Sequence, residues 1–86
     1  MKQSAFSAAS IEHFLAGWMS KQGISDTIAL NSTLTAMGFD SLAIVDLAQA
    51  LRRDLGIHVP AAEIIESATV AQTIDLIVDY AGQPRG

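Results

Sequence analysis

Ser41 is the residue around which chemistry could be organised. It stands in the run Gly38-Phe39-Asp40-Ser41-Leu42, with a glycine three places before it and a carboxylate directly before it. A serine so placed has three readings: the opening residue of a helix, a nucleophile, or a point of covalent attachment. As a hydrolase nucleophile it would need a base, a group to orient that base, and an oxyanion hole. The spacing to Gly38 is not that of G-x-S-x-G. The two imidazoles, His13 and His58, stand in other segments and read as surface or boundary residues. They are also far apart in sequence and have no accompanying ligand pattern, so neither a catalytic residue nor a metal ligand is assigned.

Attachment is better supplied. The first turn of a helix has unpaired N–H groups and the positive end of the helix dipole, so a phosphodiester on Ser41 would be stabilised there. Gly38 permits a tight approach of the chain, Phe39 can anchor it to a core, and Asp40 supplies a cap and an acid beside the hydroxyl. An Asp-Ser pair also opens helices by capping alone, and the residue chemistry leaves both readings open.

The elements that must hold this run are helical. Ile11, Phe14, Leu15, Trp18 and Met19 follow the spacing of one helical face, with Ser10 as cap beside Glu12 and Gly23 as terminator. From Gln22 to Asp40 runs a long connection with polar punctuation at Ser25, Asp26, Asn31, Ser32 and Thr33. Its apolar anchors, Ile28, Leu30, Leu34, Met37 and Phe39, predict a loop packed down by its own side chains. A second helix is predicted from Ser41 to Leu55, capped by Asp40 and ended by Gly56. Pro60 opens a short helix over Ala61 to Ser67 carrying Ile64 and Ile65. Thr69 with Gln72 starts a last helix whose inner face is Val70, Ile74, Ile77 and Ala81. No sustained alternation suggests a sheet. The expectation is an all-α fold: a small four-helix bundle of three longer helices and one short, with the long loop between the first two.

At about 100° per residue, Ile44, Leu47, Ala48, Leu51 and Leu55 gather on one side of the second helix as its core face. Leu42, Val45 and Gln49 fall on the opposite side, flanked by Asp46 and Arg53. Two branched apolar residues stranded outside the core beside Ser41 point to contact with partners.

The chain has 86 residues, half of them hydrophobic, which suits one small domain without a large buried cleft. Five basic against nine acidic residues give a net charge of −4, which disfavours binding to nucleic acid. No apolar stretch approaches the ~18 residues that span a membrane. The absence of cysteine excludes disulfides and fits a reducing cytoplasm. Residues 1–9 and 82–86 read as linkers, possible cut edges of a longer polypeptide, around a domain of residues 10–81.

Gly38-Phe39-Asp40-Ser41-Leu42 resembles the G-x-D-S-L signature of acyl carrier proteins. The likeness extends from about Ile11 to Ala81 and includes the "GIHVP" turn at Gly56 to Pro60. The resemblance implies a non-catalytic carrier. A phosphopantetheinyl transferase moves 4′-phosphopantetheine from coenzyme A, with magnesium, onto the hydroxyl corresponding to Ser41, and the arm's thiol carries acyl groups as thioesters. Asp40 and Gly38 belong to the motif. By position, Leu42, Val45, Asp46, Gln49 and Arg53 match the face such carriers present to their enzymes.

Fatty-acid carriers typically continue this helix with acids, where Arg52 and Arg53 stand here. "MGFDSL" and "ALRRDLGIHVP" look more like carrier domains of modular polyketide synthases, the makers of polyketide antibiotics. Ketosynthase, acyltransferase and tailoring domains are then the implied partners of a domain that is monomeric in isolation. A peptidyl carrier of a peptide synthetase is the alternative within the class, with a stand-alone fatty-acid type carrier beside it. Outside the class stands a plain helical interaction module.

Overall fold

The computed structural model describes residues 6–24, 28–67 and 69–82. Ser25 and Asp26 of the connection, and most of the two expected linkers (1–5 and 83–86), lie outside the described residues. The elements are α1 (Ala8–Gln22), α2 (Leu34–Met37), α3 (Ser41–Ala50) continuing into a π-helical turn (Leu51–Leu55), α4 (Ala61–Glu66) and α5 (Val70–Ala81). The expected helical bundle is present, and the long connection contains one further helical turn, α2.

α1 begins earlier than its predicted cap. Ser7, not Ser10, accepts the first free N–H, and Ser10 returns the bond to the Ser7 N–H at 2.8 Å, closing a capping box. Ala8 and Ala9, placed above in the tail, are therefore helical. Gly23 ends the helix in the left-handed conformation, as its position predicts.

The predicted second helix is one continuous rod down to Gly56, but its last five residues wind as a π turn. In that wider turn the Ile57 N–H reaches back to the Leu51 carbonyl at 3.2 Å. The rod's buried side is also turned from the predicted one. Ile44, Leu47 and Leu51 are buried as expected, Ala50 joins them, and Ala48 and Leu55 are only half-buried.

α1 packs against α5 and α3 against α4. The shared core is Ile11, Leu15, Trp18 and Met19 from α1, Leu34 and Phe39 from the connection, Ile44, Leu47 and Leu51 from the α3 rod, and Ile57, Val59, Ile64, Val70, Ile74 and Ile77 beyond it. The connection is tied to α5 by backbone. The N–H groups of Val70 and Ala71, which have no acceptor inside their own helix, donate to the carbonyls of Ser32 and Leu30 at 2.9 and 3.0 Å. Thr69 accepts from the Gln72 N–H, which is the forward half of the predicted capping box.

α4 is too short to hold itself, and polar contacts fix it to α5. The Ser67 hydroxyl lies 2.6 Å from that of buried Thr73. The Tyr80 hydroxyl donates to Glu63 Oε2 at 2.7 Å. The Glu63 carboxylate raises the Tyr80 phenol above its ordinary pKa of 10.0, chiefly through that hydrogen bond.

Two measurements test this account. Leu51→Ala removes a fully buried side chain from the rod and is expected to lower unfolding free energy by about 2–5 kcal/mol in urea denaturation. The folded phenol keeps its proton to higher pH than the unfolded one, so the stability it adds is present below pH 10.0 and is lost as pH rises through the raised value. Tyr80→Phe is accordingly expected to melt below the wild type at neutral pH, with the gap narrowing above pH 10.

Candidate functional site

The site is built by a reversal of the chain between two helices. α2 is a single turn, capped by the Thr33 side chain on the Ala36 N–H at 3.0 Å. Gly38 ends it at φ 106°, a left-handed value that a side chain makes strained. With this residue turned, the Phe39 N–H reaches back to the Leu34 carbonyl at 3.0 Å and the Gly38 N–H to Thr35 at 3.0 Å. Phe39 is delivered into the core, where its ring stacks on Trp18 with centroids 5.9 Å apart and planes inclined by 21°.

Asp40 follows in an extended conformation and caps α3. Its Oδ1 accepts from the Ala43 N–H at 2.8 Å, and its carbonyl accepts from the Ile44 N–H at 3.0 Å. Ser41 is then the first residue of the helix and is exposed. Its hydroxyl has no hydrogen-bond partner among the described residues. The N–H groups of Ser41 and Leu42 have no acceptor within the helix, so this end offers donors and a positive dipole to an anion on the hydroxyl. The structure thus brings Gly38, Asp40 and Ser41 into one turn.

Ser41 opens onto a shallow groove of 590 Å³ between the connection, α3 and α4. Thr33, Asp40, Ile44, Ile65, Glu66 and Ser67 are among its lining residues. Neither histidine borders it. His13 is exposed on α1, and His58 is exposed beyond the α3 rod, so neither imidazole meets the Ser41 hydroxyl. No group of three metal-ligating side chains forms among the described residues, and no helix there is long and apolar enough to cross a membrane.

The outward residues of the α3 rod lie where the wheel puts them. Leu42 is 70% exposed and Val45 38%, and Asp46, Gln49 and Arg53 are exposed with them. Arg53 is engaged with its neighbour, Nε to Asp54 Oδ1 at 3.3 Å. One residue of this surface escaped the sequence reading. Ile65, 51% exposed, borders the Ser41 groove from α4. The signal was present in the pair Ile64-Ile65, because a helix of one and a half turns can bury only one of two consecutive side chains.

A family model described as "Phosphopantetheine attachment site" matches residues 15–77. No curated protein and no solved structure gives a significant match.

The reversal at Gly38 carries its own test. Gly38→Ala places a side chain at positive φ, with the new Cβ about 3.4 Å from Ile24 Cγ2. Denaturation is expected to show a loss of about 1–2 kcal/mol from the left-handed backbone alone.

Proposed function

The chain belongs to the phosphopantetheine attachment family and so carries 4′-phosphopantetheine covalently; from that premise we propose that Ser41 is the attachment point and that the domain holds polyketide intermediates as thioesters. Domains of this family are generally non-catalytic carriers, loaded by a phosphopantetheinyl transferase and serving the enzymes of a synthase. The observation that carries the assignment to Ser41 is its exposed hydroxyl at the open end of α3, unpartnered among the described residues.

The residues present fit the group. In the loading step Ser41 Oγ forms a bond to the phosphorus nearest the pantetheine unit of coenzyme A. The anhydride P–O bond breaks, adenosine 3′,5′-bisphosphate departs, and the hydroxyl proton passes to a base of the transferase. The free N–H groups and dipole of α3 favour the resulting phosphodiester. Asp40 keeps the helix start in register by capping, and Gly38 and Phe39 hold that start at the surface. The bound group supplies a thiol on a long arm.

Leu42, Val45, Asp46 and Gln49 form the face read by visiting enzymes in this proposal, with Arg53 at its edge and Ile65 added from α4. Arg52 and Arg53, in place of acids, favour a polyketide synthase over a fatty-acid system, with ketosynthase, acyltransferase and tailoring domains as partners. A peptidyl carrier role remains the second reading: such carriers usually have a second glycine, and often a histidine, before the serine, where Phe39 and Asp40 stand here.

Incubation with coenzyme A, magnesium and a broad-specificity transferase is expected to add one phosphopantetheine mass to the wild type and none to Ser41→Ala. A wild type that gains no mass overturns the proposal. Val45→Asp is expected to leave helicity and loading intact while slowing acyl transfer to partner enzymes. Loss of helicity in that variant would place Val45 in the core instead.

A further inference from the structure

Two hollows flank the α3 rod, and they differ in charge. The groove at Ser41 carries the carboxylates of Asp40 and Glu66. The second hollow, of 370 Å³, lies further along the rod against residues 57–60. Val45, Val59 and Pro60 give it apolar walls, Gln49, Arg52 and His58 give it polar groups, and no carboxylate lines it.

The Arg52 side chain has no ion pair or hydrogen bond among the described residues, whereas Arg53 beside it holds Asp54. In a chain of net charge −4, that leaves an unpaired guanidinium next to an imidazole and above apolar walls. A guanidinium fork matches the geometry of a carboxylate, and a ring N–H of His58 adds a second donor.

The helix also sets Arg52 in line with Ser41. From position 41 to position 52 is about three full turns, so the two residues share a side of the rod, separated by roughly 16 Å along the axis. The arm contains about thirteen bonds from phosphorus to sulfur. Extended, it reaches roughly 16 Å at a chain advance of about 3.6 Å per three bonds. A thioester at its end therefore arrives at the second hollow.

We propose that this hollow receives the free carboxylate of a dicarboxylic acyl unit, a malonyl-type half-thioester, carried on the arm. Arg52 is the principal binding group, His58 the second donor, and Val45, Val59 and Pro60 pack the short acyl chain. Asp40 and Glu66 repel the same carboxylate from the nearer groove, so the charge of the cargo decides which hollow it occupies. The inference rests on the carrier reading of Ser41.

The test loads Ser41 with acetyl-, malonyl- and succinyl-phosphopantetheine from the corresponding coenzyme A thioesters and compares the products by ¹H–¹⁵N NMR. Intact mass reports loading separately, so a chain that takes up no arm overturns the carrier reading and is recognised as such. On loaded protein, the malonyl and succinyl arms are expected to shift the Arg52 Nε–H resonance and the His58 and Val59 amides, while the acetyl arm leaves them at their positions in the thiol form. The selective shift is expected to collapse in about 1 M salt, where the screening length is ~3 Å. It is also expected to vanish in Arg52→Gln and to persist in Arg53→Gln. Identical spectra from the malonyl and acetyl arms, or a selective shift that survives Arg52→Gln, overturns the inference.

Discussion

Burial of Phe39 against Trp18 is the contact on which the position of Ser41 depends. Fully burying an aromatic ring of this size contributes about 1.5–3 kcal/mol from water exclusion alone, and stacking adds to it. That is enough to hold a short turn that has little stability of its own. Around this ring the neighbouring residues take opposite directions. Gly38 turns the chain so that Phe39 points inward, and Asp40, one residue on, must then emerge at the surface in the extended conformation that capping requires. Ser41 is left exposed at the first helical position, its hydroxyl without a partner among the described residues. The exposure of the site follows from the burial of the residue two places before it.

The same dependence runs outward to the far side of the bundle. α2 is a single turn, too short to persist without tertiary support. It is held because Leu34 is buried and because the preceding loop caps α5 through the carbonyls of Leu30 and Ser32. α5 in turn packs on α1, which supplies Trp18. The long connection is therefore architectural: it satisfies two orphan N–H groups of one helix while placing the first residue of another. α5 is thereby joined to the serine's surroundings by backbone hydrogen bonds through the connection and by the Thr73–Ser67 hydroxyl contact at the groove.

The helices with their own punctuation were legible in the sequence. Asp40 and Gly56 bracket the α3 rod, Gly23 ends α1, and Thr69 opens α5, because each supplies a local partner or a left-handed turn that acts within a few residues. What escaped was set by competition or by distance. Ser7 and Ser10 both suit a cap, and only the full geometry shows them bonding to each other. α2 escaped because four residues cannot display a period, and Leu34 and Met37 read equally as loop anchors. A wheel with a fixed step cannot anticipate the π turn, and it leaned toward Ala48 and Leu55 where the packed helix buries Ala50. At the site, Gly38, Asp40 and Ser41 occupy the places their types suggested, while Ile65 required knowledge of which of two adjacent isoleucines α4 turns inward.

The α3 rod separates two demands along one helix. Its inner side, Ile44, Leu47, Ala50 and Leu51, is committed to the core, so the outer side can vary in charge and shape at little expense in stability. The outer side is uneven in charge: an anion-favouring helix start with Ser41 at one end, exposed Leu42 and Val45 next, and two guanidiniums three turns on. Asp40 already sets a carboxylate at the start of α3, and Arg52 stands near its far end, so a phosphate on Ser41 would deepen a negative-to-positive order along the rod. A surface that binds the modified rod must present a cation and an anion in the matching order. That requirement fixes the direction in which the rod is approached, which burial of apolar side chains, being non-directional, cannot do.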